Sequence, residues 1–173
     1  MIRTIATTSA VALALATAAC NQPGAGAANA AAPASGVTDT DPTTAEKEAA
    51  EFIRTYNGYY ERNDLDAYFA SFDPSLTQWW PTGRVGLKEY ETMWRRGFAK
   101  GGGVSKAVVS DLQIQVGPSG DAAIATYILT VTPRVDGKPG TKVERNQETD
   151  VLFKRNGTWK VYHVNYGPAA AAQ

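Results

Sequence analysis

Apolar residues recur at helical spacing in three segments of the first half of the chain. Their apolar faces are formed by Ala49, Phe52, Ile53, Tyr56 and Tyr60, then by Leu65, Tyr68, Phe69 and Phe72, and finally by Leu87, Tyr90, Met93, Trp94 and Phe98. Thr43-Thr44-Ala45-Glu46 has the form of a capping box, which predicts that the first helix starts near Thr43. Asn63-Asp64 separates the first helix from the second. The pattern predicts three amphipathic helices, each packed by one face.

The second half of the chain is rich in β-branched residues and in turn residues. It predicts strands over 105–116, 122–132, 145–155 and 158–166, and residues 76–80 form a further short strand before the third helix. Helices followed by a run of adjacent strands are typical of an α+β domain with its helices on one face of a sheet. The predicted order is α-α-β-α-β-β-β-β. We expect one domain over residues 44–166 and a disordered tail over 167–173.

The last two strands are joined by Asn156-Gly157, the strongest short-range signal for a hairpin, because both residues tolerate the positive φ of a type I′ turn. Successive strand residues point to opposite faces of a sheet. We therefore expect one wall of the core to be formed by Thr149, Val151, Phe153, Trp159, Val161 and His163. Asp150, Lys154 and Lys160 are expected on the opposite face.

The amino terminus has the features of an export signal. Arg3 is followed by an apolar, uncharged run too short to span a membrane, which predicts a signal peptide over residues 1–19. The run Leu15-Ala16-Thr17-Ala18-Ala19-Cys20 resembles a bacterial lipobox, although Thr17 stands where an aliphatic residue is usual. That resemblance implies acylation of Cys20 and a lipid-anchored, periplasm-facing protein of the cell envelope. Cleavage after Ala18 or Ala19, giving a soluble periplasmic or secreted protein, is the alternative.

Residues 20–43 contain almost nothing to bury, so this segment is predicted to be a disordered tether rich in Ala, Gly and Pro. Cys20 is the single cysteine of the chain, which excludes an intramolecular disulfide. Lys and Arg number 17 and Asp and Glu number 17, and the basic residues form no cluster. This balance argues against a nucleic-acid partner, and it leaves the lipid anchor as the only expected contact with a membrane.

The order of elements resembles the nuclear transport factor 2-like superfamily, and within it the SnoaL-like domains. The resemblance is carried by Asn63-Asp64-Leu65-Asp66-Ala67, Trp79-Trp80-Pro81-Thr82-Gly83, Gly86 and Trp159-Lys160-Val161-Tyr162-His163. It implies a cone-shaped, curved antiparallel sheet wrapped around three N-terminal helices, with a pocket inside the cone and a homodimer. Members include ketosteroid isomerases, dehydratases and polyketide cyclases, and others only bind or assemble, so the fold alone does not choose a function.

His163 is the only histidine and could act as a general base from within the cone, or form a structural hydrogen bond at the rim of the sheet. Arg145 and Gln147 share its alternating face and could bind a carboxylate or a carbonyl, although a charged strand end in water explains Arg145 equally well. Asp111 and Asp150 are predicted out of phase with the core. Neither is therefore expected to be the buried base that a ketosteroid isomerase needs.

Aromatic side chains supply the other candidate ligand contacts. Of the adjacent Trp79 and Trp80, one should line the pocket and the other could cover a dimer seam, and packing alone explains at least one of them. Tyr56 and Tyr60 could polarise a carbonyl, or pack as amphipathic core residues. With one histidine and one cysteine, no metal site and no cofactor are predicted.

Three functions stay open on the sequence. The first is an envelope-anchored domain that binds a small, mostly apolar molecule in its pocket. The second is an enzyme of cyclase, isomerase or dehydratase type that uses His163 as its base. The third is a dimeric interaction module without a ligand.

Overall fold

The computed structural model describes residues 41–80 and 82–170. Its helices are α1 (Pro42–Arg62), α2 (Leu65–Ala70) and α3 (Leu87–Phe98). The cap of α1 is Asp41, whose carboxylate accepts a hydrogen bond from the Thr44 backbone N–H, with Pro42 in the first turn. The capping-box prediction at Thr43 is therefore wrong, because Asp41 supplies the acceptor two residues earlier. None of the helices in the described ranges is long and apolar enough to cross a membrane.

The strands form one seven-stranded sheet. They are β1 (Phe72–Trp80), β2 (Gly83–Gly86), β3 (Gly103–Val116), β4 (Ala122–Val135), β5 (Lys138–Pro139), β6 (Glu144–Arg155) and β7 (Thr158–Pro168). The strand order is β2-β1-β7-β6-β4-β3, with β5 paired to β4. The predicted α+β class, with helices first and a curved, unclosed sheet after them, is confirmed.

Two details of the sheet differ from the prediction. The sheet is mixed, because β1 runs parallel to β7 while the other neighbouring pairs are antiparallel. After β1 the chain forms a short hairpin with β2 and continues into α3. The last strand, β7, pairs with the other edge of β1 and runs parallel to it. The short strands β2 and β5 were not predicted, since two to four residues carry little periodicity.

The core lies between α1 and the inner face of the sheet. Ile53 on α1, Leu76 on β1, Leu152 on β6 and Val161 on β7 are almost completely buried there. Asn63 ends α1 in the left-handed conformation, with φ 59°. Its side-chain amide bonds both backbone groups of Val104 at 2.7 and 2.8 Å, which ties the end of α1 to the start of β3.

The closing hairpin forms as predicted, with positive φ at Asn156 and Gly157, but its inner face is different. A two-residue turn pairs Arg155 with Thr158, so directly opposed positions have opposite parity. Trp159 and Val161 therefore share the inner face with Leu152, and with Asp150, which is 0% exposed. The prediction that Thr149, Val151 and Phe153 share the inner face with Trp159 is therefore wrong, because the even-numbered residues of β6 lie on that face.

The register of β7 against β6 shifts once more between the pairs Val151–His163 and Leu152–Val161, which leaves Tyr162 as the extra residue of a bulge. Beyond the bulge the alternation is inverted, so Val164 is buried and His163 stands on the outer face. At its far end β7 continues to Pro168, and the Ala169 N–H donates to the Arg145 carbonyl. The strand thus runs two residues past its predicted end. Residues 1–40 and 171–173, and with them the signal peptide and most of the tether, lie outside the described ranges.

Candidate functional site

A cavity of about 440 Å³ lies between α1, α3 and the inner face of the sheet. Helix α1 contributes Tyr56, Asn57 and Tyr60 to its lining, and β1 contributes Gln78 and Trp80. These positions follow from the elements: one face of α1 is turned to the sheet, and alternate residues of β1 point inward. The remaining lining comes from α2, α3, β3, β4, β6 and β7.

Five rings form a continuous aromatic arc along the cavity: Tyr60, Trp94, Tyr90, Trp80 and Tyr166. Successive ring centroids are 5.1, 6.5, 6.1 and 6.2 Å apart, and each pair meets edge to face. Edge-to-face contacts place the positive edge of one ring against the negative face of the next, which holds both rings in position. The arc therefore offers a preformed apolar surface for a flat molecule.

The part of the lining that comes from β6 is polar. Glu144, Asn146, Glu148 and Asp150 occupy alternate positions on the inner face of β6, and we refer to them as the acidic row. Glu144 is exposed at the mouth, Glu148 is partly buried in the cavity wall, and Asp150 is completely buried behind it. The row thus places one carboxyl group at the exposed mouth, one in the cavity wall and one in the core.

Tyr56 and Tyr127 form hydrogen bonds with the carboxyl groups at the inner end of the acidic row. Asp150 Oδ2 accepts hydrogen bonds from Tyr56 Oη at 2.7 Å and from Tyr127 Oη at 2.8 Å. Tyr127 Oη also lies 2.9 Å from Glu148 Oε2 and 2.8 Å from Tyr56 Oη. Asn57 Nδ2 donates to the same hydroxyl at 3.4 Å. Within the described residues, Asp150 Oδ1 is buried without a hydrogen-bond partner.

This network needs a proton beyond those of the two tyrosines. Tyr127 has a single hydroxyl proton, yet its oxygen is in hydrogen-bond contact with a carboxyl oxygen of both Asp150 and Glu148. Only one of those contacts can use the tyrosine proton, so the other requires a protonated carboxyl group. The surroundings place that proton on Glu148.

Burial, followed by the negative charge of Asp150, raises the pKa of Glu148 to about 8, although the hydrogen bond with Tyr127 acts in the opposite direction. Burial also raises the pKa of Asp150, but the hydrogen bonds from Tyr56 and Tyr127 oppose that increase, and its pKa is about 6. Burial, followed by the charge of Asp150, raises the pKa of both tyrosine hydroxyls, which therefore stay protonated and act as donors. At neutral pH the pair of carboxyl groups shares about one proton.

The structure brings three of the predicted site residues to the cavity, namely Tyr56, Tyr60 and Trp80. Trp79 points outward, as the alternation requires for one of the two tryptophans; it is 50% exposed, and its ring lies 4.9 Å from Arg84 Cζ. Whether the three cavity residues bind a ligand stays a prediction.

Arg145, Gln147 and His163 lie on the outer face of the sheet and do not line the cavity. The Arg145 guanidinium donates to the Ala170 carbonyl at 2.8 Å. His163 Nδ1 lies 2.9 Å from Thr77 Oγ1 on the neighbouring strand, the hydrogen-bonded arrangement weighed as the alternative to a general base. The expectation that these side chains point into the cone is wrong, because it assigned the wrong parity to the inner face of β6 and did not foresee the bulge in β7.

Sequence reasoning missed Glu148 and Asp150 for the same reason. The signal was present: with Asn156-Gly157 as a two-residue turn, the buried Trp159 must oppose an even-numbered position of β6. Asn57 and Gln78 were also missed, since a polar residue on a helix or a strand gives no sign that it faces a cavity. No group of three or more His, Cys, Asp or Glu side chains suited to a metal occurs in residues 41–80 and 82–170.

The SnoaL-like domain model matches residues 49–170, so the chain belongs to the SnoaL-like domain family. This match agrees with the fold and with the cavity inside it. No curated protein matches the chain in sequence.

Solved structures share the fold at low sequence identity. A candidate scytalone dehydratase from Novosphingobium aromaticivorans is 18% identical with a TM-score of 0.62, over 75% of this chain and 88% of that one. A candidate dehydratase of the NTF2-like family from Streptomyces avermitilis is 16% identical with a TM-score of 0.60, over 76% and 100%. The CaMKII hub of S. rosetta is 26% identical with a TM-score of 0.57, over 72% and 96%.

Proposed function

We propose that this SnoaL-like domain binds a small, flat, mostly apolar molecule in the cavity between α1, α3 and the sheet. The observation that carries the proposal is one cavity whose lining combines the aromatic arc with Glu144, Asn146 and Glu148 of the acidic row. Its volume of about 440 Å³ falls within the range of about 300–1,000 Å³ that is typical of small-molecule sites. Apolar walls with a few convergent polar groups are the usual composition of such sites.

Two adjacent tryptophans provide a matched test of the cavity. Trp80 lies in the arc and Trp79 points to solvent, so Trp80→Ala and Trp79→Ala remove the same side chain on opposite faces of β1. We expect Trp80→Ala to weaken binding of a naphthalene-based probe by about tenfold or more, since a buried aromatic contact contributes about 1.5 kcal/mol or more. Trp79→Ala should leave the affinity unchanged. Calorimetric titration measures the affinity of both variants for the probe, and circular dichroism checks that they fold. An equal loss of affinity in the two variants would contradict the proposal.

A second candidate function is proton-transfer catalysis of isomerase or dehydratase type, with Glu148 as the general acid or base in place of His163. It is supported by the position of Glu148 on the cavity wall, by its raised pKa, and by the Tyr127 hydroxyl that contacts it from behind. Scytalone, the substrate named for one structural neighbour, is the first compound to test for turnover. Glu148→Gln should lower the rate about 10²-fold or more, while His163→Ala should leave it unchanged. A rate that falls in His163→Ala but not in Glu148→Gln would instead identify His163 as the base.

We further propose that the domain is tethered to the cell envelope through acylated Cys20, which lies outside the described ranges. The support is the resemblance of residues 15–20 to a lipobox and the apolar run before them. Cys20→Ser should abolish fatty-acid labelling and release the protein from membranes. Labelling that persists in this variant would exclude the anchor.

The outer face of the sheet is the surface we propose for a homodimer. Val108 and Ile124 on this face are each 41% exposed, and one structural neighbour is a hub assembly. We expect sedimentation equilibrium to give a dimer, and Ile124→Arg to shift it to the monomer. A monomeric wild-type domain at about 100 μM would contradict this interface. A dimer that binds no ligand in its cavity would favour the third function, a dimeric interaction module.

A further inference from the structure

The charged side chains that line the cavity are all acidic. Glu144 and Glu148 are part of its wall, and no Lys, Arg or His of the described residues lines it. The nearest basic neighbour along β6, Arg145, is turned to the opposite face, where it bonds the Ala170 carbonyl. Lys142 reaches only Glu144 at the mouth, at 4.0 Å, and is itself 85% exposed. The interior of the cavity therefore has a negative polar wall without a basic counterpart.

We propose that the ligand is an organic cation, an amine attached to a flat apolar body, held with its nitrogen against Glu148 and its body in the aromatic arc. This inference rests on the proposed binding function and specifies its ligand class. Glu148 and the rings line the same cavity, and Tyr166 of the arc is the cross-strand neighbour of Glu148, so the nitrogen would lie against Glu148 beside the flat body.

The aromatic arc favours a cation independently of the acidic row. Ring faces carry negative electrostatic potential, and tryptophan and tyrosine are strong cation–π partners, more so where water is excluded. Tyr90 is only 9% exposed, and Trp80 and Trp94 are partly buried. An ammonium or alkylated ammonium group in contact with these rings and with Glu148 would be attracted by both.

Other ligand charges fit the cavity less well. A carboxylate or phosphate would face Glu148 with the ionised Asp150 behind it, and no basic side chain is present in the lining to compensate. A neutral carbonyl compound could accept a hydrogen bond from protonated Glu148 but brings no positive charge to the acidic lining. A cation gains a charge-assisted hydrogen bond to the ionised Glu148 carboxylate.

Binding of a cation should release the proton that Glu148 holds in the free protein. Burial and the charge of Asp150 raise the pKa of Glu148, and a positive nitrogen against it acts in the opposite direction. The other titratable groups that line a cavity with Glu148 or contact it are Asp150, Tyr127, Tyr56, Tyr60, Tyr68, Tyr90, Tyr166, Glu144 and Asp111. Each of these tyrosines has a raised pKa and stays neutral, so Glu148 is the group that gives up the proton.

Three probes with one body and different polar groups test the class of ligand: 2-naphthylmethylamine, 2-naphthalenemethanol and 2-naphthoate. In calorimetric titrations at pH 7 we expect the amine to bind at least about tenfold more tightly than the alcohol, and the carboxylate to bind most weakly. An alcohol or a carboxylate that binds as tightly as the amine would overturn the cation assignment while leaving the binding function intact. If none of the three binds, the proposed binding function fails, and this inference with it.

Two further measurements assign the preference to Glu148. Glu148→Gln should lower the affinity for the amine at least about tenfold while changing that for the alcohol by less than about threefold. Glu51→Gln, which removes the same charge from an exposed position of α1, is the matched control and should change neither. The second measurement needs no variant: amine binding to the wild type in buffers of different ionisation enthalpy should release a proton at pH 7. Release of no proton, or an equal effect of Glu51→Gln, would contradict the role of Glu148.

Discussion

Glu148→Gln replaces the carboxyl group whose protonation the network around Tyr127 requires with a neutral group of the same size. In the folded protein Glu148 has a pKa of about 8, against an ordinary value of 4.5 in an unfolded chain. Between these two values the folded state holds a proton that the unfolded chain has released. The free energy of unfolding therefore falls as the pH rises through this window, and it stops falling above about pH 8.

The size of the effect follows from one proton. A fully bound proton changes the free energy of unfolding by about 1.4 kcal/mol per pH unit, so the interval from pH 6 to pH 8 has a ceiling near 3 kcal/mol. We expect about 2 kcal/mol, because Glu148 borders a cavity that water can enter and begins to ionise before pH 8. Burial raises the pKa of Asp150 only to about 6, so Asp150 contributes mainly below this interval.

Urea unfolding followed by tryptophan fluorescence at pH 6, 7 and 8, at one protein concentration, measures the difference. The wild type should lose about 2 kcal/mol more than Glu148→Gln over this range, and Glu51→Gln should follow the wild type. His163 is present in all three proteins and cancels in the comparison. If the free energy of unfolding changes equally with pH in the wild type and in Glu148→Gln, Glu148 holds no extra proton in the folded state. That result would refute the assignment of the network proton to Glu148.

Three further substitutions test the fold, each by urea unfolding against the wild type. Leu152→Ala removes a completely buried side chain and should cost about 2–5 kcal/mol; a loss below 1 kcal/mol would place Leu152 outside the core. Asp41→Ala removes the acceptor of the Thr44 N–H and should cost about 0.5–2 kcal/mol, and no loss would return the cap to Thr43. Gly103→Ala should cost more than about 1 kcal/mol, because φ is +130° and the added Cβ would lie 2.5 Å from Asn63 Oδ1; unchanged stability would contradict this backbone conformation.

Most of the elements could be predicted from the sequence because they depend on neighbours in the chain. The helical spacing around Tyr90 predicts α3 over the residues that the structure assigns to it, and Asn156-Gly157 predicts the final turn. The cap at Asp41 and the continuation of β7 to Pro168 were missed. Both errors concern element boundaries, where several residues of similar local preference compete.

The candidate site was predicted only in part. Tyr56 and Tyr60 were named as candidate ligand contacts, and strand alternation required one of Trp79 and Trp80 to face inward; the structure places Tyr56, Tyr60 and Trp80 in the cavity lining. Asp150 was assigned to the face opposite the core because strand alternation was counted from the odd-numbered residues of β6. Its partners, Tyr56 and Tyr127, are 94 and 23 residues away in sequence, so their hydroxyl groups could not enter a local argument.

The sequence alone determined the three helices, the longer strands and the turn of the closing hairpin, because these preferences reside in short-range periodicity and backbone freedom; it did not determine the short strands β2 and β5 or the start of β1 at Phe72. The tertiary structure decided which face of β6 is the inner one, through the parity of the two-residue turn. It also decided, through the bulge at Tyr162, that His163 faces outward. A shift of one residue moves every side chain of a strand to the other face, so these two features determine which residues meet in the cavity. The acidic row shares the cavity with the aromatic arc only because of that register, which also pairs Glu148 with Tyr166.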